Sequence, residues 1–158
     1  MRKLLTTFVC VWFTLAVWAG DGIYEKLQQI PQISEIQKLD VKPFQEYYQF
    51  WFEQPVDHSD PAKGTFRQRV LLGHKQSDAP VIVELEGYNI WSSEEGELAN
   101  ILKGNQLTIE HRFFDQSVPE GGIPWENLTI KQAADDLLVI PESDNYLNVA
   151  YMLYDTVA

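Results

Sequence analysis

The sequence predicts an α/β fold in which an antiparallel pair of strands precedes parallel strands joined by helices. An aromatic, β-favouring stretch begins at Tyr47, and the alternating stretch Thr65–His74 follows it. Two short apolar runs at 81–86 and 107–111 flank a polar segment of helical length. An amphipathic segment at 129–139 comes next. Together these observations place strands before alternating helices and strands.

The first two stretches, "YYQFWFEQPVD" and "TFRQRVLLGH", predict an antiparallel pair of strands. The polar loop between them contains turn residues at Asp60, Pro61 and Gly64. Side chains alternate in character along the second stretch, which is typical of a strand with two different faces.

The two later apolar runs predict parallel strands. A helix at 94–102, closed by Gly104, joins them within about 30 residues, which is the length of a right-handed βαβ crossover. An antiparallel pair followed by parallel βαβ units is the opening of an α/β-hydrolase sheet. We therefore expect the N-terminal part of such a sheet, and we expect it to be incomplete.

The segment 129–139 predicts a helix capped by Thr129. Its apolar face comprises Ile130, Ala133, Ala134, Leu137 and Leu138.

The first residues predict a cleaved signal peptide at 1–19. Arg2 and Lys3 precede an apolar run, and small residues precede a cleavage point after Ala19. The run of about 14 residues is shorter than the roughly 20 that a membrane-spanning helix, the alternative, needs. We expect a secreted or periplasmic protein without membrane contact after cleavage. Cys10, the single cysteine, lies in this signal, so the mature chain has no disulfide.

Three further segments follow the signal. Residues 20–45 predict a helical leader, because apolar residues recur at helical spacing on either side of Pro31. Residues 46–140 form the partial α/β domain, and residues 141–158 form a divergent tail. The spaced apolar residues of the leader are Leu27, Ile30, Ile33 and Ile36.

Composition excludes some functions. With 12 basic and 23 acidic residues the formal charge is −11, which argues against a nucleic-acid partner. The three histidines are far apart and show no metal-ligand spacing, and Gly121 and Gly122 form an isolated pair rather than a phosphate-binding loop. We predict no cofactor, and the oligomeric state is left open.

Several blocks in order carry a family resemblance: "FWFEQPVDH", "GTFRQRVLLGH", "VELEGYNI", "TIEHRFFDQSVPE" and "PWENLTIKQAADD". They resemble the N-terminal part of the secreted prolyl tripeptidyl aminopeptidases, which are serine peptidases on an α/β-hydrolase fold. The "EHRFF" block also resembles the lysosomal prolyl carboxypeptidase and dipeptidyl peptidase family. The resemblance runs from about Tyr47 to Asp136. It implies peptide substrates and a Ser-His-Asp triad whose serine lies in a glycine-flanked turn.

The sequence departs from that pattern after Asp136. The one serine that follows, Ser143, has no glycine beside it, so we expect no nucleophile there. We therefore interpret the chain as a fragment of such a peptidase that is inactive alone. The alternative is a secreted binding protein derived from the same fold. In that case "YLNVAYMLY" at 146–154 either fills the open edge of the strand at 81–86 or is an unrelated tail.

The loop after that strand contains Gly87, Tyr88 and Asn89. The resemblance implies that backbone N–H groups here form one side of an oxyanion hole. An ordinary strand-ending turn is an equally good interpretation.

Charged residues cluster at the same strand ends. Glu84 and Glu86 share one face of their strand, and Glu110 and Arg112 share a face of the next. We hypothesise that Arg112 pairs with Glu86 or Glu110. One interpretation is that this ion pair is purely structural. The other is that the carboxylate left unpaired by Arg112 binds the protonated amine of an aminopeptidase substrate. His111 is predicted to be a hydrogen-bonded core residue rather than a catalytic one.

Overall fold

A computed structural model describes residues 22–139 as one five-stranded sheet with three short helices. The strand order is β1-β2-β3-β5-β4. The strands are β1 (Ile33–Leu39), β2 (Glu46–Pro55), β3 (Thr65–His74), β4 (Val81–Leu85) and β5 (Asn105–Ile109). The helices are α1 (Ile23–Gln28), α2 (Glu97–Leu102) and α3 (Ile130–Val139), and short 3₁₀ turns lie at Pro61–Lys63, Asp115–Ser117 and Trp125–Asn127.

The pairing confirms the predicted mixed sheet. β2 and β3 pair antiparallel over their full lengths, from Glu46 opposite His74 to Pro55 opposite Thr65. β4 and β5 pair parallel and are joined through α2, while β5 pairs antiparallel with β3. The polar loop after β2 therefore makes the hairpin, and the longer segment through α2 makes the crossover.

The prediction of a helical leader is wrong in its second half. Only α1 is helical, and β1 pairs antiparallel with β2. A bulge explains the misleading spacing: three positions separate Ser34 from Gln37, but their partners Trp51 and Gln49 are two apart. The extra residue, Glu35, has a φ of 51°. Ile33 and Ile36 therefore both pack against the core although they are three residues apart, as on a helix.

The boundaries around α2 also differ from the prediction. The helix begins at Glu97 rather than residue 94, and Lys103, not Gly104, takes the left-handed conformation that ends it. Gly104 is needed for another reason, since a Cβ there would lie 2.1 Å from Ile82 Cδ1 and 2.7 Å from the Pro80 carbonyl oxygen. β5 then begins at Asn105, two residues earlier than predicted.

The sheet has an apolar core on each face. The larger core joins strand residues to α1, with Ile23 and Leu27 packed against the sheet. The opposite face is covered by Phe44 and Ile90. Within residues 22–139 no helix combines the length and the apolar character that crossing a bilayer requires. The strand residues of the larger core are Tyr48, Phe50, Phe52, Val70, Leu72, Val81, Leu107 and Ile109.

Helix α3 begins as predicted but buries a different face. Thr129 Oγ1 accepts a hydrogen bond from Gln132 N at 3.2 Å, so the N-cap is confirmed. However, the buried residues of α3 are Gln132 and Asp136, whereas the predicted apolar residue Ile130 is 90% exposed. The helix therefore contacts the described part of the sheet through these two polar side chains as well as through Leu137 and Val139, which pack against the larger core.

Candidate functional site

The candidate site lies where the parallel strands β4 and β5 end, which is where open α/β sheets bind ligands. A cavity of about 230 Å³ separates these strand ends from α3. Its lining includes Leu85, Glu86, Ile109 and His111 from the strand ends, and Ile130 and Leu137 from α3. Apolar surface thus faces a few polar groups, as is usual for a ligand pocket.

Arg112 is fully buried beside this cavity and pairs with Asp136. Its Nε lies 2.9 Å from Asp136 Oδ2, and its Nη2 lies 3.1 Å from Asp136 Oδ1. The predicted pairing of Arg112 with Glu86 or Glu110 is therefore wrong. A two-pronged contact of this kind is the strongest form of an arginine–carboxylate pair.

The remaining N–H groups of Arg112 are also bonded. They donate to the carbonyl oxygens of Pro55 (3.0 Å), Val56 (3.2 Å) and Asn127 (2.8 Å). The guanidinium carbon lies 4.7 Å from the centre of the Phe113 ring and 5.2 Å from that of Phe66. Arg112 is thus a structural residue with no donor left for a ligand.

Asp136 joins a second element to this network. Its Oδ1 lies 2.7 Å from Nε2 of His58, whose side chain is 12% exposed. Burial raises the pKa of Asp136, and the neighbouring Arg112 and His58 oppose that rise. The loop after β2 is therefore fastened to α3. Sequence reasoning missed His58 and Asp136 as partners, although both residues lie in blocks that carry the family resemblance.

Asp57 fastens the same loop to the start of α3. Its carboxylate accepts from Lys63 Nζ and from Gln132 Nε2, both at 2.8 Å. The bond from Lys63, with those from the Ser59 hydroxyl and N–H, holds the pKa of Asp57 well below its ordinary range. Asp57 is therefore ionised at neutral pH and acts as a structural acceptor.

Glu110 is equally occupied. It is fully buried and accepts from Ser117 Oγ at 2.7 Å and from the N–H of Ile90 at 3.1 Å. Arg69 Nη1 lies 3.6 Å from it. Of the predicted candidates, Glu110 and Arg112 are thus both saturated, and they are not paired with each other.

Glu84 and Glu86 are different. Both are half-buried, and Glu84 accepts one bond, from Gln106 Nε2 at 2.9 Å. Burial, and then the charge of Glu86, raise the pKa of Glu84. Within residues 22–139 the Glu86 carboxylate, which lines the cavity, has no hydrogen bond or ion pair.

The loop after β4 is held at fixed points but leaves its own donors open. The Tyr88 carbonyl accepts from His111 N at 3.0 Å, and the N–H of Ile90, two residues later, donates to the Glu110 carboxylate. The N–H groups of Gly87, Tyr88 and Asn89 donate to no acceptor in the described part of the chain.

Gly87 is not required by the fold of these residues. A Cβ at this position would meet nothing within 4 Å, and its φ is not in the left-handed region. Neither packing nor backbone conformation among residues 22–139 therefore explains the glycine.

The other candidates have structural partners. His111 Nδ1 lies 3.0 Å from the Arg112 carbonyl oxygen, and its ring meets that of Phe114 edge-on, in agreement with a hydrogen-bonded residue. Ser59 and Ser117 each bond a carboxylate, and Ser143 lies outside the described residues. Among residues 22–139 no group of His, Cys, Asp and Glu side chains is arranged to hold a metal ion.

Sequence comparison decides the family. A sequence model of the PS-10 peptidase S37 family matches residues 18–149, which is most of the chain. The chain belongs to this peptidase family. It is also 38% identical, over 150 residues, to a prolyl tri/tetrapeptidyl aminopeptidase of Streptomyces mobaraensis. That match covers 86% of this chain and 31% of the relative, so the chain spans about a third of the length of its relative.

Membership of the S37 family confirms the family resemblance found in the sequence blocks. The sequence blocks that carry the resemblance have separate structural roles in this S37 chain. The network of Asp57, Arg112 and Asp136 comes from the blocks "QPVDH", "EHRFF" and "QAADD". The block "VELEGYNI" contains the loop at 87–89, whose N–H groups have no acceptor among residues 22–139.

Proposed function

We propose that this chain forms the N-terminal part of a serine-type aminopeptidase with an α/β-hydrolase fold. The activity we propose is release of short N-terminal peptides, tri- or tetrapeptides, by cleavage after proline. Family membership and the printed activity of the Streptomyces relative support the reaction. The order of strands in the sheet supports this fold. An antiparallel hairpin leads into a parallel βαβ unit, and the second strand of that unit, β5, lies between β3 and β4.

The observation that carries the proposal is the set of open N–H groups at 87–89. An acyl-transfer site needs preorganised donors where the carbonyl oxygen becomes negative. These three N–H groups lie at the carboxyl end of a parallel strand, in a loop held by the bonds at Tyr88 and Ile90. We assign to this loop the oxyanion side of the reaction centre, and to Gly87 the role of letting the substrate approach the backbone.

We assign the nucleophile and its base to residues outside 22–139. Ser59 and Ser117 are bonded to Asp57 and Glu110, and His58 is bonded to Asp136, so these groups already have structural partners. We therefore propose that residues 1–158 by themselves do not hydrolyse peptides. Incubation with an alanyl-alanyl-prolyl p-nitroanilide and a fluorophosphonate probe tests this: turnover, or covalent labelling at any position, contradicts it.

A chimaera tests the oxyanion assignment. Residues 22–139 replace the matching residues of the Streptomyces enzyme, so that the remainder of that enzyme supplies the other groups. Gly87→Ala is expected to lower kcat by about 10²-fold, because the added methyl group crowds a donor that stabilises the transition state. KM is expected to change little. Steady-state kinetics on the p-nitroanilide measure both.

Gly121→Ala is the matched control. Gly121 also lies in an exposed loop, its Cβ would meet nothing within 4 Å, and its φ is not in the left-handed region. Equal kcat values for the two variants would remove the oxyanion assignment. A folded chimaera without peptidase activity would count against the proposed function as a whole.

Export through a signal peptide at 1–19 is part of the proposal. The basic start and the apolar run before Ala19 support it. N-terminal sequencing of the protein recovered from the periplasm of an expressing bacterium should begin at Gly20; retention in the cytoplasm with Met1 intact contradicts export.

A further inference from the structure

The loop after β4 exposes a large aromatic ring beside its open N–H groups. Tyr88, whose own N–H is one of those groups, is 65% exposed among residues 22–139. Leaving the apolar surface of that ring in water forgoes the free energy that burial would contribute. Exposure alone identifies no function, because single exposed apolar residues are common. The contacts of this ring are more informative.

Two further rings hold Tyr88 in place. The ring of Phe114 meets that of Tyr88 edge-on, with 5.3 Å between the ring centres and 82° between the ring planes. The ring of His111 meets the same Phe114 ring at 5.3 Å and 87°. The N–H of His111 also donates to the Tyr88 carbonyl at 3.0 Å. Tyr88 is therefore fastened to this segment through both its ring and its backbone.

The backbone after Arg112 turns sharply and presents Phe114 to the loop. Phe113 and Asp115 have φ values of 64° and 37°, a range that residues with a side chain rarely adopt. Phe113 is buried, with its ring centre 4.7 Å from the Arg112 guanidinium carbon, whereas Phe114 is only half-buried. One aromatic side chain thus joins the core, and the next supports Tyr88. Strained backbone of this kind persists where its surroundings hold it, and it is frequent at ligand sites.

The place of Tyr88 relative to the open N–H groups indicates what its ring contacts. In the proposed function these groups receive the carbonyl oxygen of the residue before the cleaved bond, which is proline. A proline ring includes the Cα next to that carbonyl, so it lies close to the residue that donates to the oxygen. Gly87 has no side chain and Asn89 has a short amide, so Tyr88 is the residue of this loop whose side chain can cover the proline ring.

We propose that Tyr88, supported by Phe114 and His111, forms the aromatic wall against which the proline ring of the substrate packs. This inference rests on the proposed function, because it names a specificity-determining residue of the same site. A proline ring presents more apolar area than an alanine methyl group, and its C–H groups beside the amide nitrogen are attracted to an aromatic face. Grooves lined by aromatic rings bind proline-containing peptides in other proteins. The substrate then covers the ring that the described residues leave exposed.

The chimaera with the Streptomyces enzyme tests the proposal with an alanyl-alanyl-prolyl and an alanyl-alanyl-alanyl p-nitroanilide. The measured quantity is the ratio of the two kcat/KM values. Tyr88→Ala should lower this ratio about tenfold, because the backbone N–H remains while the apolar wall that favours proline is lost. Tyr88→Leu, which keeps an apolar side chain without a ring, should also lower the ratio, and it serves if the alanine variant does not fold.

Tyr88→Phe keeps the ring and should keep the ratio. A fall in the Tyr88→Phe variant as large as that in Tyr88→Ala would assign the preference to the hydroxyl group and overturn the proposal. A ratio that stays unchanged in both Tyr88→Ala and Tyr88→Leu also overturns it. That is the result expected if a segment outside the described residues, such as 146–154, covers the ring instead.

Two control variants separate this proposal from the oxyanion assignment. Gly87→Ala should lower kcat on both substrates alike and leave the ratio unchanged, because crowding a backbone donor does not distinguish proline from alanine. Tyr24→Ala is the matched control, since Tyr24 is 39% exposed on α1 and its ring centre lies 6.1 Å from that of Tyr48. Tyr24→Ala should change neither the rates nor the ratio.

The supporting ring has its own test. Phe114→Leu keeps an apolar side chain but removes the edge-on contact, so the ratio should fall, by less than in Tyr88→Ala. An unchanged ratio would remove the supporting role of Phe114. Failure of the proposed function has a different signature, namely a chimaera that is inactive or that cleaves both substrates equally well. A preference for proline that survives the loss of Tyr88 leaves that function standing and removes this inference alone.

Discussion

Two groups of charged and polar residues at the same end of the sheet behave in opposite ways. Around Arg112 and Asp136, bonds from arginine, histidine and backbone satisfy the buried charges. Around Glu86 and Gly87, a carboxylate and three N–H groups have no partner among residues 22–139. The first group shapes the end of the sheet, and the second remains available for chemistry.

Burial explains the difference. Arg112 and Asp136 are fully buried, and an unpaired charge there would lose its hydration without compensation. Water can satisfy the exposed Gly87 and Tyr88 when no ligand is present. At this end of the sheet, the groups that have no partner among residues 22–139 are therefore the candidates for ligand binding.

The largest expected loss of stability comes from removing Arg112 from its network with Asp136. Arg112→Met should lower the free energy of unfolding by about 3–5 kcal/mol, because Asp136 is left buried and charged. Urea denaturation measures the loss, and Lys131→Met, in an exposed ion pair with Asp135, should cost less than about 0.5 kcal/mol. The double change Arg112→Met with Asp136→Leu should recover part of the loss. If it is as unstable as the single variant, the unpaired charge is not the cause.

A smaller loss is expected at the rim of the same network. His58→Ala should cost about 1–2 kcal/mol, because Asp136 Oδ1 still accepts from Arg112 Nη2 at 3.1 Å. His58→Gln, which can reach the carboxylate with an amide N–H, serves as the control and should lose less. A loss at His58 as large as that at Arg112 would show that the histidine, not the guanidinium, compensates the buried charge.

The smallest effect, a slight gain in stability, is expected at Glu84, which lies beside the unpaired Glu86. Burial and then the charge of Glu86 raise the pKa of Glu84 in the folded chain above its unfolded value. The folded state then holds the proton more tightly, so stability falls as pH rises from the unfolded pKa through the folded one. Glu84→Gln should remove this decline and make the chain slightly more stable at pH 7, but not at pH 3.

Thermal unfolding between pH 3 and pH 7 checks this, with exposed Glu120→Gln as the control. A Glu84→Gln variant that is less stable at pH 7 would show that the charged Glu84 carboxylate stabilises the fold, as Asp136 does.

The strands of the hairpin and of the βαβ unit were predictable because their signals are local. Alternating side chains between turn residues define β2 and β3, and short apolar runs define β4 and β5. The cap of α3 is local as well, since Thr129 bonds a residue three positions away. Backbone geometry over a few residues suffices for such features.

The partner of Arg112 was not predictable in the same way. Asp136 is 24 residues away, on a helix whose apolar residues suggested another buried face. The helix predicted over β1 was wrong for a related reason. One inserted residue, at the bulge, gives Ile33 and Ile36 the spacing that is typical of a helix. In both cases the sequence offered several satisfactory local arrangements.

By itself the sequence determined the family, the mixed order of strands and the loop at 87–89, because each depends on short blocks in a fixed order. Only the tertiary structure decided which charges are structural. Pairing depends on where helices cross the ends of strands, and the desolvation of a buried charge is compensated only by groups within hydrogen-bond distance. Asp136 meets that condition for Arg112, and no residue of the described chain meets it for Glu86.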